Sequence, residues 1–213
     1  MKLKRRPLAA LAAAGLLVGV AVLALTAFAG GAAGSSATNN EMRWDIIHFN
    51  FATLTLTPGG HASAFATASG GSASAGKITV TGGGTFRSNP GESQAVTGGG
   101  TWQTFDGAGS PTGSGTYQVT GFVDFDLAPG SLPPSITDNT GVKANVHSGL
   151  VVLTIAYSDG SDGALVVSCD LPVGSPPTLF EGITASKGYV DYWERDPAVA
   201  GVDANRTNFH TLK

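Results

Sequence analysis

From Trp44 to Thr57 apolar and polar residues alternate, with Ile47, Phe49 and Phe51 in one phase and Leu54 and Leu56 in the other. A period of two is strand geometry, and a change of phase within one strand predicts a bulge, placed here near Ala52-Thr53. Pro58-Gly59-Gly60 ends this segment, His61 to Ser69 carries alanine at every even position, and Gly70 to Gly76 reads as a loop. Then a phrase repeats: Val80-Thr81-Gly82-Gly83-Gly84-Thr85-Phe86, Val96-Thr97-Gly98-Gly99-Gly100-Thr101-Trp102 and the looser Gly113-Ser114-Gly115-Thr116-Tyr117-Gln118-Val119. The aromatic recurs about every 15 residues, the length of one strand plus one turn. Three glycines in the middle of a strand weaken it, so they imply a bend, a coil or a close approach by another backbone or ring.

The third copy continues as Tyr117, Val119, Gly121, Val123, Phe125 and Leu127 on one face, with Thr116, Gln118 and Thr120 opposite. Gly149 to Tyr157 and Ala164 to Cys169 are almost wholly apolar and flank Ser158-Asp159-Gly160-Ser161-Asp162-Gly163, a strong hairpin signal. Short strands follow at Thr178 to Thr184 and Gly188 to Glu194. No segment from 42 to 195 has a 3.6-residue apolar period. The expected fold is all-β, an antiparallel meander closing into a small barrel, with a two-sheet β-sandwich as the alternative. Glycines at matching positions in neighbouring strands favour the barrel, because they permit curvature.

The N-terminus has a different character. Lys2, Lys4, Arg5 and Arg6 precede an uncharged apolar stretch from Leu8 to Phe28, and Ala27-Phe28-Ala29 gives the small-x-small pattern of a cleavage site. This order predicts a signal peptide over residues 1–29. The length of the apolar part leaves an uncleaved membrane anchor as the alternative. Either way the positive-inside rule puts the remainder outside the cytoplasm, so the domain reads as secreted or extracytoplasmic. Residues 30–41 form a flexible linker, 42–195 one β-rich domain, and 196–213 a polar C-terminal tail.

The 213-residue chain has 12 Lys and Arg against 15 Asp and Glu. Removing residues 1–29 takes four of the basic residues and no acid, leaving eight against 15, a balance of −7. An acidic domain with no basic cluster argues against nucleic acid and against peripheral membrane binding. The single Cys169 has no internal disulfide partner, and its apolar setting reads as a buried strand position.

Recognisable catalytic arrangements are missing from the pattern. The glycine phrases are followed by no Gly-Lys-Ser/Thr, no Gly-x-Ser-x-Gly elbow is present, and the Asp159 to Gly163 turn has no closing glutamate at calcium-loop spacing. His48, His61, His147 and His210 show no ligand spacing, so neither a metal nor another cofactor is called for. Asp124 and Asp126 lie two apart on a strand, about 6.6 Å by backbone rise, so they could flank a glycosidic bond as acid and base. His147 or Tyr189 would assist such a site, and Asp191 is a third acid candidate; the opposing reading of the aspartates is a solvated outer face. The densest aromatic and charged patch is Tyr189-Val190-Asp191-Tyr192-Trp193-Glu194-Arg195. Rings beside carboxylates and a guanidinium suit a sugar or small-molecule contact. Asn205-Arg206-Thr207 is the one glycosylation sequon.

The Gly- and Thr-rich meander with aromatic strand ends resembles small secreted barrels of the dirigent and allene oxide cyclase type. No functional motif of that group matches residue by residue, so the resemblance assigns no site. The leading expectation is an exported β-domain that binds a small molecule, glycan or cell-surface partner without catalysis. An enzyme with a site inside the barrel, and an assembly protein pairing through its Gly-rich strands, are the competing expectations.

Overall fold

The computed structural model describes residues 41–68, 74–87 and 95–212. The predicted signal segment, the linker up to residue 40 and part of the 70–76 loop lie outside them. The strands are β1 (Glu41–Asn50), β2 (Thr55–Pro58), β3 (His61–Thr67), β4 (Ser74–Thr81), β5 (Gly83–Arg87), β6 (Thr97–Asp106) and β7 (Pro111–Ala128). After these come β8 (Thr137–Asp138), β9 (Val146–Tyr157), β10 (Asp162–Cys169), β11 (Gly182–Lys187), β12 (Val190–Tyr192), β13 (Glu194–Arg195) and β14 (Thr207–Leu212). Six of them, β1, β5, β6, β7, β9 and β14, pair in a closed antiparallel ring. The fold is therefore a barrel with extra strands outside it, and among the described residues no helix is long and apolar enough to cross a membrane.

Glycine explains how the extra strands leave the ring. β4 and β5 lie end to end along one edge of β6, β4 meeting it over Gly76 to Val80 and β5 over Gly83 to Thr85. Between them Gly82 takes φ +132°, a backbone state that L side chains avoid. The chain turns there, so β4 pairs with β3 while β5 pairs with β1. The Thr81 carbonyl freed at this fork accepts the Tyr117 hydroxyl at 2.8 Å. A methyl group on Gly100 would run into that same carbonyl, which is why the second copy of the phrase also needs glycine.

Side chains fill the barrel. Phe86, Trp102 and Tyr117, the three repeat aromatics, are 0%, 5% and 2% exposed. Phe86 lies 5.3 Å from Phe122 and 4.9 Å from Phe125, and Trp102 meets Tyr157 edge to face at 5.8 Å. Burial drives the Tyr117 hydroxyl pKa upward, with the neighbouring Tyr157 adding to it. Met42, Trp44, Ile46, Val151, Leu153, Ile155, Leu165 and Val167 complete one continuous core. Among the described residues these side chains occupy the barrel interior. The Gly-rich strands are not edges: β5 is flanked by β1 and β6, and β6 by β4, β5 and β7.

Three sequence expectations are corrected. The phase change after Phe51 is a turn rather than a bulge: β1 folds back on β2 with Phe49 opposite Leu56. Asn50 Oδ1 accepts the Ala52 and Thr53 amides, and Leu54 takes φ 52°. In β7 two register shifts, between Val119 and Gly121 and between Phe122 and Asp124, each consume one residue. Phe122 therefore faces the core in place of Val123, which is 55% exposed, and the second shift returns Phe125 to the inner phase. Leu127 ends 61% exposed.

The third correction concerns the C-terminus. Residues 207–212, read as part of a polar tail, form β14, which sits inside the ring between β1 and β9. Phe209 is fully buried against Phe86 and Phe125. Its neighbours Thr207, Asn208 and His210 are buried too, but as hydrogen-bonded polar groups, and their polarity hid the strand.

Candidate functional site

The structure separates the predicted acid and base residues. Asp124 and Asp126 pair with Val152 and Leu150 of β9, on the outer face, and both are exposed. Asp124 Oδ1 accepts the Phe125 amide at 2.9 Å. His147 lies on the opposite face, 2.9 Å from Thr211 Oγ1, and burial followed by the charge of His210 pushes its pKa down. The sheet stands between the carboxylates and the imidazole.

The aromatic patch is also divided. β11 and β12 form a hairpin whose tip carries Tyr189, 99% exposed, and Asp191 is exposed on the same side. Tyr192 is buried at 6%, while Trp193 stands half exposed and Glu194 is exposed on β13. Arg195 turns elsewhere: its guanidinium lies 4.7 Å from the centre of the Phe180 ring. Nearby, the Asp159 to Gly163 turn is a tight hairpin in which Asp159 is held by Lys187 and Ser161, bringing its pKa to about 2. Cys169 is fully buried, and burial, then the charges of Glu181 and Asp170, drive its thiol pKa well up, so it is a poor nucleophile.

Arg195 belongs to a different constellation, centred on Glu181. The chain leaves β10 at Asp170 and re-enters the sheet at β11 just after Glu181, while Arg206 immediately precedes β14. Glu181 Oε2 accepts the Asp170 amide at 2.6 Å and Oε1 accepts the Thr207 amide at 2.7 Å, so one carboxyl joins the ends of β10 and β14 where they diverge. Thr207 Oγ1 donates to the Ser168 carbonyl at 2.6 Å and closes the same gap. Burial pushes the Glu181 pKa up to about 8, against the two amides and the Arg206 charge, which pull it down.

Two cavities meet at this point. The first, of about 80 Å³, is walled by Ile47, Phe49, Leu56, Leu132, Ile136, Leu171 and Pro172, and the second, of about 320 Å³, by Phe180, Arg195, Pro197 and Ala198. Asp170, Glu181 and Arg206 line both. Arg206 Nη2 donates to the Val199 carbonyl at 3.1 Å and its guanidinium stacks 5.7 Å from Phe51, while its Nε is buried with no hydrogen-bond partner. Asn205, at φ 56°, sets the turn that aims Arg206: its Oδ1 accepts the Ser63 amide at 2.7 Å. With Asn205 only 4% exposed and so engaged, the sequon is sealed in the folded chain.

The apolar wall is itself pinned. The segment from Leu132 to Lys143 crosses the outside of β1 and β14, contributing Leu132 and Ile136 to the first cavity. Lys143 Nζ donates to the carbonyls of Pro133, Pro134 and Ile136 at 2.8, 2.9 and 2.6 Å. β8 runs parallel to β2, and Asp138 Oδ2 meets His210 Nε2 at 2.8 Å with both side chains almost fully buried. Burial raises the Asp138 pKa, but the His210 and Thr140 hydrogen bonds outweigh it and hold the carboxylate below its ordinary value. Asn208 Nδ2 donates to Thr140 Oγ1 at 2.6 Å, a further tie across the same contact.

Of the candidates named from the sequence, Arg195 alone reaches this site. Glu181 and Arg206 escape a reading of the sequence because neither sits in a motif: they come together only because β10, β11 and β14 converge. The available signal was Asn205, a residue that tolerates positive φ, placed directly before a basic residue and an alternating segment. No family model, no curated protein and no solved structure matches the chain, so the reading of this site rests on its geometry.

Proposed function

We propose that this is an exported binding domain whose cleft, between the ends of β10, β11 and β14, takes a small amphipathic molecule without transforming it. The observation that carries the reading is the shared boundary of the two cavities. An apolar compartment and a polar one meet at Glu181 and Arg206, so a ligand can bury a hydrocarbon part against Ile47, Leu56 and Leu132 while its polar end stays beside the guanidinium groups. The raised Glu181 pKa lowers the cost of desolvating this boundary relative to an ordinary carboxylate.

Size limits the ligand. A water needs roughly 10–15 Å³ of such space, so the apolar compartment has room for about five to eight water-sized groups, a chain of about six carbons. Export follows from the basic and apolar N-terminus and is part of the same proposal; binding at the cell surface or to a glycan through the Tyr189 hairpin is no longer needed to explain a ligand site.

The test is calorimetric titration with 1-butanol, 1-pentanol, 1-hexanol and 1-octanol. Burying each methylene contributes about 0.8 kcal/mol, about fourfold in affinity, so affinity should climb to about six carbons and then level off. A Leu132→Trp variant that fills the compartment should lose the climb. An affinity that ignores chain length, or that survives in Leu132→Trp, contradicts the reading.

A further inference from the structure

The polar compartment carries more cationic hydrogen-bonding capacity than the fold consumes. Arg195 and Arg206 both line it, and they come from separate elements, β13 and the residue before β14. Arg206 Nη2 is spent on the Val199 carbonyl, while its Nε is buried and unpartnered. The exposed Arg195 guanidinium lies over the Phe180 ring at the wall of the compartment, and no ion pair involving it is found among the described residues. A buried guanidinium donor without an acceptor is costly, and an oxyanion is the ligand its fork geometry matches best.

We infer that the polar end of the ligand is a carboxylate, held between Arg195 and Arg206 while its short hydrocarbon part enters the apolar compartment. This rests on the binding reading above and names the class of ligand. Charge selects a monoanion. The titratable groups facing the junction are Cys169 and Asp170 after β10, Glu181 before β11, Arg195 on β13 and Arg206 before β14. When Glu181 holds its proton and the buried thiol is neutral, the lining carries two guanidiniums and the Asp170 carboxylate, a balance of +1 that one carboxylate neutralises and a phosphate dianion overshoots. Ionising Glu181 brings the balance to zero, so affinity for the anion should fall as pH rises through about 8.

Calorimetry with hexanoate, 1-hexanol and hexyl phosphate, at pH 6.5 and pH 9, separates the possibilities. The expected result is hexanoate binding at least tenfold tighter than 1-hexanol at pH 6.5, with that advantage shrinking at pH 9. Arg195→Gln, at an exposed position, should remove most of the advantage of hexanoate over 1-hexanol; Arg206→Gln should do the same where the variant folds. Equal binding of hexanoate and 1-hexanol overturns the carboxylate assignment while the amphipathic cleft stands. Hexyl phosphate binding tighter than hexanoate also overturns it. Binding of none of the three removes both the assignment and the cleft reading.

Discussion

Glu181 gathers two backbone amides, a neighbouring guanidinium and a low-dielectric wall around one carboxyl, and burial prevails over the rest. A carboxyl whose folded pKa lies above its unfolded value keeps a proton that the unfolded chain has already lost. Its contribution to stability is therefore fully present below the ordinary value of 4.5 and is lost as pH rises to about 8. Urea unfolding at pH 5, 6.5 and 8 measures this: relative to Glu181→Gln, the wild-type chain should lose stability steadily with pH. A constant difference between the two proteins would refute the raised pKa. At the other end of the cleft wall, Asp138→Ala leaves His210 Nε2 buried without its partner; an unsatisfied buried polar group costs about 1–3 kcal/mol, readable as a lower urea midpoint. Phe86→Ala, in the packed lumen, should cost more, about 3–5 kcal/mol.

Strands differ in how plainly their residues announce them. The hairpin of β9 and β10 is legible because its apolar runs flank a turn rich in Asp and Gly, and Ala156 indeed faces Asp162 across it. The glycine phrases are legible as curvature, and the fork at Gly82 is their physical reason. Gly100→Val should consequently prevent a stable fold, because the added side chain meets the Thr81 carbonyl from inside the sheet; circular dichroism would show loss of the β signal. The bulges of β7 are not legible: two single-residue shifts cancel, so the sequence keeps its period while Phe122 and Val123 exchange faces. β14 is hidden for a different reason. Its buried Thr207, Asn208 and His210 hydrogen-bond to partners brought from residues 168, 140 and 138, and no local pattern reports a partner that distant.

At the scale of the molecule, closure of the ring and construction of the cleft are one event. β14 supplies a wall of the barrel, the amide that holds Glu181 and, one residue earlier, the guanidinium that faces both cavities. Deleting residues 204–213 should therefore unfold the domain rather than trim a tail, seen as loss of cooperative thermal unfolding. The same convergence explains why the fold class could be read from sequence and the site could not: strands declare themselves by local period, whereas Arg195, Glu181 and Arg206 meet only after closure. The most direct test of the binding account is an amide-resolved NMR titration of the folded domain with 1-hexanol. Shifts confined to Ile47, Leu56, Leu132, Ile136, Leu171 and Thr207 are the predicted result; shifts centred on the Tyr189 to Trp193 hairpin, or none at all, would contradict it.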